Sequence, residues 1–227
     1  AVAALQMSRL LNKQVDFITA LGKDNNGQKS FEELTKFGLN VSVAWKDKPT
    51  RKGISMIDKY GERAITVIGE RLQPTFKDDL PWDEMNSYDG VFITATDSAA
   101  IKKCREANIL VATPRVSIKE INKAKVKLNA LVGSGLDPDE KVTAEDINLA
   151  PHLRIATEGD KGGEAWPGGR FKTIKLNKKV IDAYGCGDSF AAGITVALAA
   201  GWNTEQAISL GAHCGAECTQ NFGPYPS

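Results

Sequence analysis

The pattern that most constrains the fold is the alternation of short apolar strands with segments of helical periodicity. Val91 to Thr94 and Ile109 to Ala112 are largely apolar runs, and Ala99 to Ala107 between them has helical spacing. Further strand candidates follow at Leu128 to Val132 and Leu153 to Thr157. Strands without a polar face that alternate with helices are typical of a parallel sheet covered on both sides. The sequence therefore predicts a three-layer α/β/α fold with a mostly parallel central sheet.

The composition excludes several classes of protein. Hydrophobic residues make up 42% and charged residues 25% of the 227 positions, so the chain is not disordered as a whole. A formal net charge of +1 offers no attraction to nucleic acid or to an anionic membrane. The longest run of small apolar residues, Ala191 to Ala200, is about half a membrane span. We therefore expect no nucleic-acid partner and no membrane partner.

The cysteines indicate a reducing compartment. The four cysteines are Cys104, Cys186, Cys214 and Cys218, and none of them forms a CxxC pair. We also expect no signal peptide. The i, i+4 pair in the last helix has no further ligand at a suitable spacing, which favours a place in the core over a zinc site. We therefore expect free thiols and a cytoplasmic location.

Three strand patterns follow one another without a helix between them. They are Val41 to Trp45, Lys52 to Asp58 and Arg63 to Ile68, and they predict an antiparallel flap. Apolar residues fall on both faces of the second strand, which indicates that a ligand or a partner subunit covers the flap. A plain surface hairpin is an equally good interpretation.

The segment most informative about function runs from a β-type pair through a glycine turn into a helix. Gly185 and Gly187 allow backbone N–H groups to converge directly before a helix N-terminus, which is a favourable arrangement for an anion. The Asp188 carboxylate in the first helical turn has two explanations. It complements the helix dipole, or it accepts a proton from an attacking hydroxyl beside the anion hole. The second is favoured because Asp182 lies six residues upstream and a small Ala-Ala-Gly face follows.

This segment resembles the C-terminal signature of the ribokinase-like carbohydrate kinases, also called the phosphofructokinase-B type. The usual signature is Asp-Thr-x-Gly-Ala-Gly-Asp-x-Phe; here Ala183 replaces the Thr and Cys186 replaces the Ala. The resemblance implies that Asp188 is the catalytic base. It also implies that Gly185, Cys186 and Gly187 form the anion hole through their backbone N–H groups.

Other motifs of this family have counterparts along nearly the whole chain. Residues 22–27 are similar to its Gly-x-Asp-x-x-Gly motif, and residues 49–53 with 61–63 resemble its lid. The substrate contacts that this implies are Arg51, Gly22 and Asp24. Residues 157–162 match its Thr-x-Gly-x-x-Gly turn, although a plain hairpin would need the same glycines. The ATP contacts implied by that match are Thr157, Glu158, Gly159 and Gly162.

The same resemblance implies two cation sites. The family's Asn-x-x-Glu motif, linked to Mg²⁺ and phosphate, is changed here to Ser134 and Asp137 at the same spacing. We therefore expect Ser134 beside the nucleotide and Mg²⁺ held mostly through water and phosphates, with Asp137 acting through water. The residues implied for a loop that binds a monovalent cation such as K⁺ are Asp182, Tyr184, Cys218, Gly223 and Ser227.

The implied organisation has three parts. Residues 1–40 form the first part of the core without its initial strand, residues 41–75 form a β lid, and residues 76–227 carry the ATP site and the catalytic loop. We expect an ATP-dependent phosphotransferase acting on a hydroxyl of a sugar or sugar-like molecule, and a homodimer formed through the lid. Two alternatives stay open: a nucleoside kinase on the same fold, and a non-catalytic sugar or nucleotide sensor.

Overall fold

Six α-helices, four short 3-10 helices and ten strands make up the regular structure of residues 1–57, 63–176 and 180–223, the part of the chain that the computed structural model describes. The strands are β1 (Asp16–Gly22), β2 (Asn40–Lys46), β3 (Lys52–Ile57), β4 (Arg63–Ile68), β5 (Gly90–Ile93), β6 (Ile109–Ala112), β7 (Ala130–Ser134), β8 (Leu153–Thr157), β9 (Gly163–Trp166) and β10 (Gly169–Phe171). The helices are α1 (Val2–Leu11), α2 (Asn25–Lys36), α3 (Ser98–Cys104), α4 (Ile118–Ala124), α5 (Cys186–Ala199) and α6 (Thr204–Cys218). None of the described helices combines the length and the apolar character needed to cross a membrane.

The central sheet has six strands in the order β10-β9-β8-β7-β6-β5. Strands β5 to β8 are mutually parallel, and β9 and β10 continue the sheet as an antiparallel extension beyond β8. Parallel neighbours require crossover connections, and helices α3 and α4 lie in two of them. The predicted, mostly parallel central sheet is confirmed.

Alternate residues of the central strands pack against helices on opposite faces of the sheet. Leu110 packs in a cluster with Ile101 of α3 and Ile121 of α4. Its neighbour Val111 packs with Phe190 of α5 in a separate cluster, since successive side chains of a strand point to opposite faces. Helix α1 packs against α5 on that second face. The predicted three-layer arrangement therefore follows from apolar residues on both faces of each strand.

The prediction of a flap with three antiparallel strands is wrong for its first strand. The strand β2 pairs in parallel with β1, from Asp16 opposite Asn40 to Gly22 opposite Lys46. Helix α2 connects the two strands and returns the chain to run in the same direction as before. Val41 packs beside the buried Leu39 against α1, so it belongs to the core and not to the flap.

The lid hairpin consists of β3 and β4, which pair antiparallel with Lys52 opposite Ile68. Its predicted turn lies outside the described residues. Both strands keep large apolar side chains in solvent, and their exposed fractions are 50% for Ile54, 57% for Met56, 51% for Ile65 and 44% for Val67. The small antiparallel sheet is therefore confirmed, and its side chains form an exposed apolar surface.

A cavity of about 520 Å³ separates β1 from β5. It is lined by Phe17 and Ile18 on one side and by Phe92 and Ile93 on the other. In the described part of the chain neither strand pairs across this cavity, so β1 and β2 form a sheet of their own. Thr94 lines this cavity and also stands at the sheet edge described next, whereas Asp188 and the glycine turn before it do not line it.

Candidate active site

Polar residues follow the carboxyl ends of all four parallel strands of the central sheet. Thr94 comes after β5, Arg115 after β6, and Glu158 after β8, while Ser134 ends β7. Ligand sites of open α/β sheets lie outside these strand ends. The carboxylate of Asp188, in the first turn of α5, contacts the Arg115 guanidinium there. Residues far apart in the sequence thus meet at one edge of the sheet.

The first turn of α5 begins at Gly185, whose φ of 86° is left-handed and therefore suits glycine. A helix N-terminus leaves backbone N–H groups without partners inside the helix. A Cβ added at Gly187 would meet no atom within 4 Å, so the turn borders open space. The side chain of Asp188 is 23% exposed. A helix N-terminus, a carboxylate and room for a ligand therefore occur together, and the anion hole itself stays a prediction.

Arg115 connects this turn to the loop after β7. Its guanidinium contacts Asp188 through Nη2, and its Nε lies 3.2 Å from Oε1 of Glu140. The other carboxylate oxygen of Glu140 accepts the backbone N–H of Ser134 at 3.0 Å. Burial disfavours the charge on Arg115, but the carboxylates of Asp188 and Glu140 raise the pKa of its guanidinium. Sequence reasoning missed Arg115 and Glu140, although Arg115 stands close after a buried strand.

Ser134 and Asp137, which stand at the spacing of the altered motif, organise a tight turn. The Ser134 hydroxyl accepts the N–H groups of Leu136 and Asp137, each at 3.1 Å. Oδ1 of Asp137 accepts the N–H of Asp139 at 3.0 Å. The described residues contain no group of three or more metal-ligating side chains. Asp137 is nevertheless exposed, so its carboxylate can contact a hydrated ion.

The predicted nucleotide turn follows β8 and is shaped by its glycines. Gly159 and Gly162 have φ of 60° and 85°, and a Cβ at Gly162 would lie 2.1 Å from the Phe171 carbonyl oxygen. Close packing against the Phe171 carbonyl therefore requires glycine at position 162, apart from any contact with a nucleotide. Thr157 Oγ1 donates to the Gly133 carbonyl at 3.3 Å, and the Glu158 carboxylate pairs with Arg170 at 2.8 Å.

A cavity of about 340 Å³ lies beside this turn, between the ends of β7 and β8. The polar groups that line it include Ser134, Glu140 and Glu158, and Arg154 stacks on the Trp166 ring 4.1 Å from its centroid there. Two of the predicted nucleotide contacts, Ser134 and Glu158, therefore border one concave space.

Gly22 and Asp24 lie at the base of the lid. Asp24 caps α2 by accepting the Gly27 N–H at 2.7 Å, and it also accepts the N–H and hydroxyl of Thr50 at 2.7 Å each. These hydrogen bonds, those from Thr50 first, lower the pKa of Asp24. The Gly22 N–H donates to the Thr50 hydroxyl at 3.0 Å. The two residues therefore fix the chain just before Arg51, and a substrate contact for them stays a prediction.

Arg71, which follows the lid, is a second residue that sequence reasoning missed. It donates to the carbonyl oxygens of Arg115 and Thr94, at 2.8 Å each. Partial burial lowers the pKa of Arg71, and so do the charges of Arg115 and Arg51 nearby. Three guanidinium groups thus lie close to one another on the lid side of Asp188.

The predicted cation loop brings four of its five residues together. The Asp182 carboxylate accepts the N–H groups of Tyr184 at 2.9 Å and Gly223 at 3.0 Å. The Cys218 thiol donates to the Tyr184 carbonyl oxygen at 3.4 Å. Ser227 lies outside the described residues. The loop therefore joins the start of α5 to the end of α6.

Cys186 of the predicted anion hole interacts with Cys218. A hydrogen bond from the Cys186 thiol lowers the pKa of Cys218 to about 7, and the same interaction raises the pKa of Cys186. Both thiols are free and partly accessible. The side chain of Cys186 is thus engaged by α6, while its backbone N–H donates to the Ala183 carbonyl at 3.4 Å, so its part in an anion hole stays a prediction.

Comparison with known proteins finds similar sequences over the whole chain. The family model described as "pfkB family carbohydrate kinase" matches residues 1–227. Fructoselysine 6-kinase from Escherichia coli is 39% identical over 72 residues, which cover 31% of this chain and 28% of that protein. Ribokinase from Arabidopsis thaliana is 23% identical over 241 residues, which cover 93% of this chain and 64% of that protein. The matches thus span less than two thirds of either curated relative.

Solved structures share the fold at low sequence identity. A ribokinase from Thermotoga maritima superposes with a TM-score of 0.74 at 20% identity, and the match covers 98% of this chain and 80% of the ribokinase. The adenosine kinase from Schistosoma mansoni in complex with 2-fluoroadenosine superposes with a TM-score of 0.74 at 13% identity, and the match covers 100% of this chain and 80% of that kinase. The predicted fold class is therefore confirmed by these structures as well as by the sheet topology.

Proposed function

Because the chain belongs to the pfkB family of carbohydrate kinases, we propose that the whole protein transfers the γ-phosphoryl group of ATP to a hydroxyl of a sugar or sugar-like molecule. The observation that carries this proposal is the Asp188 carboxylate beside the open glycine turn at the start of α5. A base and an anion-binding turn in one place are what phosphoryl transfer to an alcohol requires.

In the proposed reaction Asp188 accepts the proton of the acceptor hydroxyl. The oxygen then bonds to the γ-phosphorus, and the bond from that phosphorus to the oxygen that bridges it to the β-phosphate breaks, which releases ADP. General bases contribute roughly 10²- to 10⁴-fold to rate. The contact with Arg115 supports this role, since it orients the carboxylate toward the edge of the sheet where the substrates meet.

The backbone N–H groups of Gly185, Cys186 and Gly187 stabilise the charge on the transferred phosphoryl group. The open space at Gly187 supports this role, because a phosphoryl oxygen can approach the N–H there without meeting a Cβ. Arg115 lies at the same edge and adds positive charge beside the reacting group.

The nucleotide binds along the turn after β8, beside the cavity next to β7. Its proposed contacts are Thr157, Glu158, Gly159, Gly162 and Ser134. The donor set fits Mg²⁺ held through water and phosphates, because Asp137 is exposed and carboxylate oxygen is a ligand that Mg²⁺ accepts. Bound there, Mg²⁺ would neutralise charge on the ATP phosphates.

The oxygen atoms of Asp182 and the Tyr184 carbonyl fit a hard monovalent cation such as K⁺, which would add positive charge near the start of α5. The Cys218 thiol is a soft group, and we assign it to holding the Tyr184 carbonyl in place.

The exposed apolar lid supports the proposed homodimer, since unpaired strand edges and apolar faces are usually covered. The same lid favours a second candidate function, a nucleoside kinase, because its apolar faces at Ile54 and Met56 suit a base. The sensor alternative is disfavoured by an intact Asp188. A lid that starts after β2 and ends near residue 75, and a cytoplasmic location, stay parts of this proposal.

The test is ADP formation from ATP and Mg²⁺ with panels of sugars and of nucleosides, using Asp188→Asn as the matched variant. Turnover with a sugar that the variant loses is the expected result. Turnover only with nucleosides selects the second candidate. A complete protein that turns over no acceptor, or an Asp188→Asn variant as active as the wild type, would overturn the proposed mechanism.

A further inference from the structure

Three arginines from separate segments converge on one side of Asp188. Arg51 precedes β3, Arg71 follows β4, and Arg115 follows β6. Arg71 donates from Nη1 to the Arg115 carbonyl and from Nη2 to the Thr94 carbonyl, at 2.8 Å each. These two hydrogen bonds fix the Arg71 guanidinium at the carboxyl ends of β5 and β6, below the lid.

The charges in this cluster are unevenly compensated. Arg115 contacts two carboxylates, those of Asp188 and Glu140. In residues 1–57, 63–176 and 180–223, Arg71 forms hydrogen bonds to carbonyl oxygens and no ion pair to a carboxylate. Its lowered pKa, caused by desolvation and then by Arg115 and Arg51, reflects the cost of keeping these cations together. Two hydrogen bonds use only part of the donors of a guanidinium, so Arg71 retains N–H groups for an anion.

The position of Arg71 separates it from the nucleotide turn. That turn follows β8, and Arg71 lies at the ends of β5 and β6. With strands spaced about 4.8 Å apart, the ends of β5 and β8 are about 14 Å from each other. Arg71 is therefore remote from the nucleotide turn and stands where the lid hairpin ends.

We propose that the acceptor carries an anionic group, a phosphate or a carboxylate, which Arg71 binds together with Arg51. This inference rests on the proposed function and names the class of its substrate. A guanidinium presents paired N–H groups that match the oxygens of either anion. Arg115 remains with Asp188, so one side of the cluster binds the anion while the other orients the base. The γ-phosphoryl group of ATP is the competing source of such an anion, and the distance from the nucleotide turn favours the acceptor.

Equilibrium binding tests this inference without requiring turnover. Inorganic phosphate is titrated calorimetrically into the wild type, Arg71→Gln and Arg9→Gln, each saturated with Mg²⁺ and a non-hydrolysable ATP analogue. Arg9→Gln is the matched control, because it removes the same charge from the exposed end of α1. We expect phosphate to bind the wild type and the control, and to bind Arg71→Gln at least tenfold more weakly. An Arg71→Lys variant keeps the charge but lacks the paired N–H groups of the guanidinium, so its affinity for phosphate should lie between those of the wild type and Arg71→Gln.

Paired acceptors extend the test to the substrate class. Neutral sugars are compared with their phosphate monoesters and their sugar acids as competitors of bound phosphate. At least one anionic member should compete tenfold better than its neutral partner, and Arg71→Gln should remove that preference. Two results with phosphate would overturn the inference: no binding of phosphate to the wild type, or equal binding of phosphate to the wild type and to Arg71→Gln. A third would be a tenfold weaker affinity of Arg71→Gln for the ATP analogue itself, which would assign Arg71 to the γ-phosphoryl group.

Catalysis is measured separately, so that the two proposals fail differently. Turnover of a neutral sugar that Arg71→Gln leaves unchanged would overturn the anionic acceptor and retain the kinase. Phosphate binding through Arg71 in a protein without turnover would overturn the kinase alone. Circular dichroism melting of each variant confirms that it is folded.

Discussion

The Arg115 guanidinium contacts the Asp188 carboxylate and so joins the end of β6 to the first turn of α5. The two residues are 73 positions apart in the sequence. Their contact places a cation against the proposed base, at the edge of the sheet where both substrates are expected. It is the structural relationship on which the first two predictions depend.

Asp188→Asn should lower kcat by about 10²- to 10⁴-fold, because the amide cannot take the proton of the acceptor hydroxyl. The structure of α5 should persist, since the amide retains the size of the side chain. Coupled ADP assays give kcat, and titration with a non-hydrolysable ATP analogue checks that nucleotide binding is unchanged. Asp139→Asn, an exposed carboxylate beside the turn after β7, is the control and should retain full activity.

Arg115→Gln should lower kcat by about 10²-fold, the usual effect of removing one group that stabilises developing charge. The loss leaves the carboxylates of Asp188 and Glu140 without their shared cation. Arg115→Lys restores the charge without the second contact and should recover part of the rate. A kcat within twofold of the wild type in Arg115→Gln would exclude the assigned role.

Gly187→Ala should lower activity at least tenfold without lowering the melting temperature. A Cβ at position 187 would have no neighbouring protein atom within 4 Å, so folding does not require glycine there. A phosphoryl group close to the backbone N–H does require it. Gly162→Ala is the contrasting variant, because its Cβ would lie 2.1 Å from the Phe171 carbonyl oxygen and the residue has φ of 85°. That variant should unfold at a clearly lower temperature.

Asp24 should contribute stability at neutral pH that is lost in acid. Its hydrogen bonds, first those from Thr50, lower the folded-state pKa below the ordinary 3.8. The contribution is therefore complete above about pH 3.8 and disappears as the pH falls through the lower folded value. Melting temperatures of Asp24→Asn and wild type should differ at pH 7 and converge toward pH 2. Asp47→Asn removes an exposed ion pair with Lys23 and should change little at either pH.

Cys218 should be the first thiol to react with iodoacetamide. Its pKa is lowered to about 7 by the hydrogen bond from Cys186, whereas burial raises the pKa of Cys104 to about 12. Peptide mass spectrometry as a function of pH should show half-maximal labelling of Cys218 near pH 7 and no labelling of Cys104. Cys186→Ala removes the donor and should shift the labelling of Cys218 to higher pH; an unchanged profile would contradict this account.

The central sheet could be predicted because its signal is local. Each strand from β5 to β8 is a short run without a polar face, and such runs bury both faces wherever they lie. The pairing of β2 could not be predicted in the same way, because a strand pattern does not specify its neighbour. Asn40 to Lys46 has the pattern of a flap strand, and only the crossover through α2 pairs it with β1.

The glycine turn and Asp188 could be predicted from one continuous segment. Arg71, Arg115 and Glu140 could not, since each acquires its role from contacts across the sheet edge. Arg71 forms hydrogen bonds to the carbonyl of Thr94, 23 residues away, and Arg115 contacts α5. An isolated arginine in a loop carries no sign of such a partner in its own sequence.

Three hydrogen bonds tie Thr50 to Gly22 and Asp24, and they end just where the lid hairpin begins. On the other side of the hairpin, Arg71 ties the chain to the core at Thr94 and Arg115. The hairpin is thus held at both of its ends, at the end of β1 on one side and at the ends of β5 and β6 on the other. If the hairpin swings, Ile54 and Met56 within it move further than Arg51 and Arg71 at its ends, so the proposed anion contacts would be preserved while the acceptor enters.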